Sequence, residues 1–283
     1  MLKLVLALIF VLSIQNAFSF PRAPFDALKV NSNAKKVDFL GYDFEGIVKL
    51  SNCSGSLIQF SGQPDTANAL VMTNGHCLST PNGMLKPGEV WNNRAVSRSM
   101  KVFDKNMKLR AIKAIKVVYA TMTNTDVTIY ELNETYAQIA QSGIEPLVLD
   151  GVRPIVGVNI DIVSGYWDRG YTCNIDGFVF KLEEAGWTFS DSIRYSKPGC
   201  ETIGGTSGSP IIQKGTRFVV GINNTGNEDG GRCTMNNPCE IDANGNVTVL
   251  KKTSYGQQTY NFYSCLTPDF KVDLQIPGCT LPK

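Results

Sequence analysis

Short runs of β-branched and aromatic residues, separated by glycine, proline and asparagine turns, most narrowly limit the folds open to this chain. Five of them lie before residue 150, at 47–50, 56–60, 69–72, 114–119 and 127–130. Five more follow, at 156–164, 177–182, 211–212, 218–222 and 247–251. Strands of this length and spacing are typical of an all-β barrel or sandwich. Two β-rich halves joined near residue 150 predict two barrels packed together, with one helical turn at residues 134–142.

The N-terminal residues have the pattern of a secretory signal peptide. Lys3 precedes an apolar run at residues 4–12, and residues 17–19 form a small-x-small cleavage site. The run is too short to cross a hydrocarbon core, which needs about 20 residues. We therefore expect cleavage after Ser19, a secreted or periplasmic protein, and no membrane association afterwards. The polar, proline-bearing residues 20–40 are expected to form an N-terminal arm or a short pro-segment.

Eight cysteines follow the predicted signal peptide. An even number of cysteines in a secreted chain indicates an oxidising compartment and up to four disulfides. Zinc would need Cys-x-x-Cys pairs or clusters of cysteine and histidine, and the sequence has neither. Spacing alone does not decide which cysteines pair.

Composition also limits the classes of partner and cofactor. The formal net charge is +2, with charges of both signs interspersed, so there is no basic stripe of the kind that binds a phosphate backbone. The loop at residues 242–246 has the alternating polar residues of a calcium loop, but Thr253 stands where such a loop needs a glutamate. We therefore predict no nucleic-acid partner, no metal and no cofactor.

The segment Gly-Gly-Thr-Ser-Gly-Ser-Pro at residues 204–210 places Ser207 among glycines, just ahead of an apolar pair. Such a tight turn can present a nucleophile while its backbone N–H groups point at a developing oxyanion. Taken alone, the segment is more often a plain Gly/Ser loop. Its interpretation therefore depends on the rest of the chain.

Two further residues supply the partners that a serine nucleophile needs. His76, the only histidine of the chain, ends a β run and is followed by Cys77, and Asp126 stands at the mouth of another run. Taken singly, a lone histidine is usually structural and an aspartate of this kind is as often a turn residue. A serine hydroxyl needs an adjacent base, and an imidazole base is oriented by a carboxylate. Together, the three residues predict nucleophilic catalysis.

In this order the motifs resemble those of the trypsin/chymotrypsin-like serine proteases over residues 45–226. Residues 53–58, 73–77, 126–129 and 205–210 are similar to the family segments Cys-Gly-Gly-Ser-Leu-Ile, Thr-Ala-Ala-His-Cys, Asp-Ile-Ala-Leu and Gly-Asp-Ser-Gly-Gly-Pro. Residues 220–226 match the strand that pairs with substrate. An α/β-hydrolase would need the order Ser, acid, His. A subtilisin-like order, with Asp38, Asp43 or Asp65 before His76, does not suit the β-rich pattern.

The resemblance implies a fold, domain bounds and roles for the site residues. The expected fold is two six-stranded antiparallel β-barrels, at residues 41–150 and 151–255, with the active site in the cleft between them and a disulfide-bearing tail at 256–283. Ser207 would be the nucleophile, His76 the base and Asp126 the orienting carboxylate. The N–H groups of Gly205 and Ser207 would form the oxyanion hole. Asn224, Thr225 and Gly226 would pair with an extended peptide substrate.

Departures from the family pattern point to its bacterial, V8-like branch. Thr206 stands where animal members have the aspartate of the zymogen salt bridge, and Ser209 is typical of the bacterial motif. Asn223 occupies the position of a histidine in glutamate-specific members. Glu201, with Thr202 beside it, falls at the base of the trypsin-like specificity pocket, where a carboxylate would favour Lys or Arg. One inserted residue would instead move Glu201 onto an exposed loop.

The resemblance also suggests disulfide pairs. Cys53 and Cys77 match the disulfide of the family's histidine loop. The other six cysteines fit a local scheme: Cys173–Cys200, Cys233–Cys239 and Cys265–Cys279. An alternative is Cys200–Cys233, which resembles a bridge beside the specificity pocket.

The sequence therefore predicts a monomeric, secreted serine endopeptidase that acts on protein or peptide substrates through an acyl-enzyme. The alternative is a catalytically silent homologue that keeps the barrels as a binding module. Intact His76, Asp126 and Ser207 favour the enzyme, since a binding module has no need of the sole histidine at that position. A disulfide-rich structural protein of unrelated fold would require every ordered match to be a coincidence.

Overall fold

The computed structural model describes residues 41–78 and 80–283. The predicted signal peptide at 1–19 and N-terminal arm at 20–40 lie outside the described residues. Strands dominate the described part of the chain, and the prediction of an all-β fold is confirmed. No helix among these residues is long and apolar enough to cross a membrane.

Six strands of the first half close into a ring. They are β1 (Ile47–Lys49), β2 (Ser54–Phe60), β3 (Asn68–Thr73), β4 (Val90–Phe103), β5 (Leu109–Thr121) and β6 (Val127–Thr135). Their antiparallel order is β1-β4-β5-β6-β3-β2, and β1 pairs again with β2. The start of β5 shows the period of two expected for a half-buried strand: Ile112 and Ala114 are buried, while Lys113 and Ile115 face solvent.

Two short elements follow this ring. The helix α1 (Tyr136–Ala140) lies within the predicted helical turn. Thr135 caps it, because its hydroxyl accepts the N–H of Gln138 while the Gln138 side chain accepts the N–H of Thr135. The strand β7 (Leu147–Leu149) then runs parallel to β2 and thereby begins the link to the second half.

Six strands of the second half close into another ring. The remaining strands of the chain are β8 (Asn159–Ser164), β9 (Arg169–Glu184), β10 (Trp187–Tyr195), β11 (Pro210–Gln213), β12 (Phe218–Gly226), β13 (Cys239–Ile241), β14 (Val247–Thr248) and β15 (Ser254–Gln258). The ring order is β12-β11-β8-β9-β10-β15, and β12 pairs with β15. β7 also runs parallel to β12, so it bridges the rings. β13 and β14 form a hairpin on β9.

The strands β4 and β10 were not indicated by the sequence. β4 exposes Asn92, Asn93 and Arg94 in succession, and β10 carries a mixed run of polar residues. In β10 the apolar residues at 187, 189, 193 and 195 alternate with polar ones, but Asp191 interrupts the series. β4 alternates only near its end, where Met100 and Val102 are buried on either side of the exposed Lys101. The boundary predicted near residue 150 lies between the two rings and stays a prediction.

Apolar side chains form three cores. The first fills the first ring and extends to Val179, Leu182, Phe189 and Tyr255 of the second ring, the second lies within the second ring, and the third lies between the rings. Leu57, Val71 and Tyr130 belong to the first core, whereas Ile162 and Ile211 belong to the second. The core between the rings joins β2, β7 and β12 to the C-terminal tail, where residues Tyr260–Cys265 form a 3₁₀ helix. The tail is therefore part of the packed structure.

All eight cysteines are paired in disulfides. The pairs are Cys53–Cys77, Cys173–Cys200, Cys233–Cys239 and Cys265–Cys279. The structure thus joins Cys53 to Cys77 as the resemblance implies, and it has the local scheme for the others. The alternative pair, Cys200–Cys233, does not form.

Candidate active site

Strand pairing brings His76 and Asp126 together. β3 and β6 are antiparallel neighbours, and Thr73 at the end of one lies opposite Thr128 near the start of the other. The residues that follow β3 therefore meet the residue that precedes β6. The disulfide between Cys53 and Cys77 ties the histidine turn to the adjoining strand β2.

The carboxylate of Asp126 fixes the imidazole of His76. Its Oδ2 lies 2.7 Å from Nδ1, and its Oδ1 accepts the backbone N–H of His76 at 3.0 Å. Asn74 donates its side-chain amide to the Asp126 carbonyl oxygen, and Asp126 is only 1% exposed. A Cβ on Gly75 would lie 2.1 Å from the Thr121 carbonyl oxygen, so only glycine fits that turn. Since a carboxylate only accepts, Nδ1 carries the proton and leaves Nε2 as the base.

The charges around His76 hold its pKa above the ordinary value. Burial by itself would lower that pKa, because it disfavours the charged imidazolium. The Asp126 carboxylate opposes burial through its charge and its hydrogen bond, and the charge of Glu184 acts in the same direction. The net shift is upward. The site therefore stabilises the imidazolium that would form when Nε2 takes a proton.

Ser207, His76 and Asp126 line one cavity, and the volume of this cavity is about 430 Å³. Its hydroxyl donates to the Asn224 carbonyl oxygen at 3.1 Å. Within residues 41–78 and 80–283, no hydrogen bond joins this hydroxyl to His76. Catalytic hydrogen bonds are often long or unformed in free enzymes and tighten when substrate binds. The structure thus brings the three residues together, with the serine hydroxyl turned toward β12.

The turn that carries Ser207 is anchored to strands of the first ring. The carbonyl oxygen of Ser207 accepts the Ser54 N–H at 2.8 Å. Gly208 has a φ of +84°, and a Cβ there would lie 2.2 Å from the Ser54 carbonyl oxygen and 2.3 Å from the Thr73 hydroxyl. The sequence therefore needs glycine after the serine for both backbone conformation and space.

The two predicted oxyanion donors are unused. Gly205 has a φ of +89°, in the left-handed region that favours glycine. Among the described residues, neither the N–H of Gly205 nor that of Ser207 donates to a protein acceptor. Both groups are available to an oxygen anion bound beside Ser207.

The predicted substrate-binding residues divide between two neighbouring cavities. Thr202, Asn224, Thr225 and Gly226 line the cavity of Ser207. Glu201 does not. Its carboxylate accepts the Gly199 N–H at 2.9 Å, and it lines a second cavity of about 330 Å³ that shares Thr202 and Gly226 with the first.

Glu184 is a site residue that the sequence analysis missed. It ends β9, lines the cavity of Ser207, and is only 7% exposed. Burial raises its pKa above the ordinary value, with a smaller contribution from the Asp126 charge, and the Thr225 hydroxyl, the Asn236 N–H and His76 offset only part of this rise. The sequence carries no signal for this position, because a glutamate before the turn at 185–186 looks like any solvated strand end. Only the path of the β9–β10 hairpin brings it into the cleft.

The cavity has an apolar wall and an acidic character. Met84, Met122, Trp187 and Phe189 form the wall. Among residues 41–78 and 80–283, three carboxylates also line the cavity, on Asp126, Glu184 and Glu228, and no lysine or arginine does. The site would therefore attract a positively charged group over a negatively charged one.

One cluster has the residue types of a metal site. The side chains of Cys53, His76 and Cys77 place their ligand atoms within 4.8 Å of one another. Both sulfurs belong to a disulfide, however, so neither is available as the thiolate that zinc requires. The cluster therefore does not fit a metal.

Comparison with known proteins relates the chain to a peptidase family. A family model described as a trypsin-like peptidase domain matches residues 53–222. The protease domain of MamO from Magnetospirillum magneticum superposes with a TM-score of 0.50 at 13% identity, covering 79% of this chain and 97% of that chain. At this identity the likeness shows a common fold.

Two further solved structures are similar at a lower level. Neuropsin, a serine protease of mouse brain, has a TM-score of 0.47 at 13% identity, covering 77% of this chain and 91% of its own. A Glu endopeptidase has a TM-score of 0.46 at 14% identity, covering 76% of this chain and 85% of its own. No curated protein matches the chain significantly.

Proposed function

The chain belongs to the family of trypsin-like peptidase domains, and on that premise we propose that it is a secreted serine endopeptidase. The observation that carries the proposal is the buried Asp126 carboxylate, 2.7 Å from His76 Nδ1, in the cavity that Ser207 also lines. The imidazole Nε2 is left as a base beside a serine. Four disulfides support an oxidising compartment outside the cytoplasm.

In the proposed reaction, the Ser207 hydroxyl gives up its hydrogen bond to the Asn224 carbonyl oxygen and donates to Nε2 of His76 instead. Its oxygen then attacks the carbonyl carbon of a peptide bond. The hydroxyl proton passes to Nε2 as the Oγ–C bond forms, and the carbonyl π electrons move to its oxygen. The N–H groups of Gly205 and Ser207 bind that oxyanion, and each such donor stabilises it by about 2.7–4 kcal/mol. Cleavage of the C–N bond releases an amine that takes the proton from Nε2. Water then hydrolyses the acyl-enzyme by the reverse proton path.

The substrate of the proposed enzyme is an extended peptide that carries a cationic side chain. Residues 224–226 offer backbone groups at the cavity edge, where a peptide can add as a further strand. In the described part of the chain, the second cavity is lined by the carboxylates of Glu201, Glu228 and Asp229 and by one ammonium, that of Lys252. This balance supports the expected preference for Lys or Arg. The test measures kcat/KM for peptides that have Arg, Phe or Glu before the cleaved bond. If the ratio of kcat/KM for Arg to that for Phe is the same in Glu201→Gln as in the wild type, Glu201 is not part of the specificity pocket.

One observation favours the alternative of a silent homologue. The Ser207 hydroxyl is bonded to Asn224 and not to the imidazole. A binding module would retain that arrangement when a peptide occupies the cleft, whereas an enzyme would abandon it.

Labelling with a fluorophosphonate, followed by mass mapping, separates the two functions. The protein should be secreted from an oxidising host so that its four disulfides form. We expect labelling at Ser207 in the wild type and none in Ser207→Ala or His76→Ala, with all three proteins folded by circular dichroism. Wild-type protein that has all four disulfides and resists labelling would establish the silent homologue instead.

A further inference from the structure

The peptide group between Gly204 and Gly205 supplies one proposed oxyanion donor, and a side chain from another turn holds it. The indole Nε1–H of Trp167 donates to the Gly204 carbonyl oxygen at 2.7 Å. In a trans peptide, the C=O and the following N–H point in opposite directions. The bond that fixes the Gly204 carbonyl therefore also fixes the direction of the Gly205 N–H.

The next peptide group is held in the same way. The carbonyl oxygen of Gly205 accepts a hydrogen bond from the Ser54 hydroxyl at 3.1 Å. Ser54 is fully buried on β2, and its own N–H binds the carbonyl oxygen of Ser207. The Gly205 N–H thus lies between two carbonyls whose directions are set by side chains from other elements.

The fit of the indole against this loop is close. A Cβ added to Gly205 would lie 2.8 Å from Cδ1 of Tyr166 and 2.9 Å from Nε1 of Trp167. Any side chain at residue 205 would therefore displace the indole or the loop. The aromatic pair lies directly over the glycine whose N–H is the proposed donor.

The turn that carries Trp167 is itself firmly placed between β8 and β9. The N–H of Trp167 donates to the buried Ser164 hydroxyl at 3.3 Å, and the N–H of Tyr166 donates to Ser54 at 3.1 Å. The Tyr166 and Trp167 rings meet edge to face, with centroids 4.9 Å apart. An ion pair of 3.0 Å joins Asp168 to Lys49 on β1. The indole donor is therefore pre-organised before any substrate arrives.

We propose that Trp167 is a positioning residue for the oxyanion hole, an inference that rests on the proposed serine-protease function. Its indole N–H keeps the Gly204 carbonyl turned away, so that the Gly205 N–H faces the developing oxyanion. Without the indole N–H of Trp167, the peptide group between Gly204 and Gly205 can rotate, so that its N–H points away from the oxyanion. Binding of substrate backbone along β12 does not involve the indole, so the defect falls on the transition state.

The kinetic test is Trp167→Phe, which keeps an aromatic ring and removes the N–H. Because removal of one oxyanion donor lowers kcat about 10²–10³-fold, a misdirected donor should lower kcat and the labelling rate roughly tenfold to hundredfold. We expect KM and the melting temperature to stay near the wild-type values. Trp91→Phe is the matched control, since the Trp91 indole N–H also donates a hydrogen bond, to the Glu89 carboxylate at 2.9 Å, and Trp91 lies in the first ring, away from Ser207.

A second readout separates positioning from general structure. A peptide boronic acid forms a tetrahedral adduct, and its affinity should fall with kcat in Trp167→Phe. A product-like peptide should compete equally well in both proteins. If kcat, labelling and boronate affinity of Trp167→Phe all remain within twofold of the wild type, Trp167 has no such role.

A crystal structure of Trp167→Phe tests the inference without turnover. We expect the peptide group between Gly204 and Gly205 to be turned over or to occupy two orientations. A single, unchanged orientation would overturn the inference. An inactive wild type would refute the proposed function, while the orientation in the variant would still decide the role of the indole.

Discussion

His76 lies near two carboxylates that differ in their contacts. Asp126 forms a hydrogen bond with the imidazole. Glu184 acts on the imidazole only through its charge, because its carboxylate oxygens accept hydrogen bonds from Asn236 and Thr225. Both raise the pKa of His76 against the effect of burial. A substitution at Glu184 therefore changes the pKa of His76 and leaves the hydrogen bond between His76 and Asp126 in place.

We expect Glu184→Gln to move the acidic limb of the pH profile to lower pH. The substitution removes one of the charges that raise the pKa of His76, and the base works only when it is neutral. The measurement is kcat/KM, or the rate of fluorophosphonate labelling, as a function of pH. Glu228→Gln is the control, because Glu228 lines the same cavity but is exposed and leaves the pKa of His76 unaffected. Equal shifts in the two variants, or a shift to higher pH, would contradict this expectation.

The same pKa shift has a consequence for stability. A histidine whose pKa is higher in the folded than in the unfolded chain stabilises the fold when it is protonated. This contribution is fully present below the unfolded pKa of about 6.5 and is lost as pH rises through the folded value. It therefore favours the fold in mildly acidic solution, where the base is inactive.

Strand ends and the links between them place the three proposed catalytic residues. The register of β3 against β6 brings His76 to Asp126, and the disulfide from Cys53 holds the histidine turn. The nucleophile turn precedes β11 and binds β2 through Ser54. The site thus depends on elements of both rings.

Removing the disulfide of the histidine turn should reduce both stability and activity. Its partners, Cys53 and Cys77, are 24 residues apart, so loss of the cross-link costs about 3 kcal/mol of unfolding free energy by the chain-entropy relation. In the double Ser variant, kcat should also fall, because the turn that carries His76 loses its tie to β2. Denaturant unfolding and steady-state kinetics measure the two effects.

The tail disulfide provides the matched control. Cys265 and Cys279 are 14 residues apart, so their double Ser variant should lose a similar amount of stability, about 3 kcal/mol. We expect its kcat to remain at the wild-type value, since the tail does not line the cavity of Ser207. An equal loss of kcat in both variants would show that stability, and not the placement of His76, limits activity.

The tail packs into the core that lies between the two rings. Phe262 of the tail is 1% exposed and meets Tyr119 of the first ring edge to face, with centroids 5.7 Å apart. The hydroxyl of Tyr119 also donates to the carbonyl oxygen of Pro282. The tail therefore contributes to the stability of the whole protein.

Phe262→Ala should destabilise the protein by about 3–5 kcal/mol, because it removes a buried aromatic ring and leaves a cavity. For a domain of this size, that loss corresponds to a fall in melting temperature of roughly 6–20 °C. Phe180→Ala is the control, since Phe180 is 56% exposed and its truncation removes little packing. A melting temperature for Phe262→Ala equal to that of Phe180→Ala would show that the tail packs only loosely. Differential scanning calorimetry measures the melting temperatures of the two variants.

Local patterns determined the features that depend on neighbouring residues. The glycines and the serine at residues 204–210, the β run before His76 and the alternation before and after Asp126 are short-range signals, and their order along the chain identified the family. The family resemblance implied the disulfide Cys53–Cys77, and a local scheme fitted the other three pairs, but spacing alone did not decide between that scheme and Cys200–Cys233. The strands β4 and β10 were missed because polar residues, at 92–94 in β4 and at Asp191 in β10, interrupt the period of two.

Tertiary structure alone decided which distant residues meet at the cleft. Glu184, at the end of β9, lines the cavity of Ser207, and Trp167, in the turn between β8 and β9, donates a hydrogen bond to the Gly204 carbonyl oxygen. Glu201, counted along the sequence into the pocket of Ser207, lines the neighbouring cavity instead. Sequence patterns record how each segment pairs with its neighbours. Contacts between hairpin ends depend on the twist and closure of both rings, which no single segment encodes.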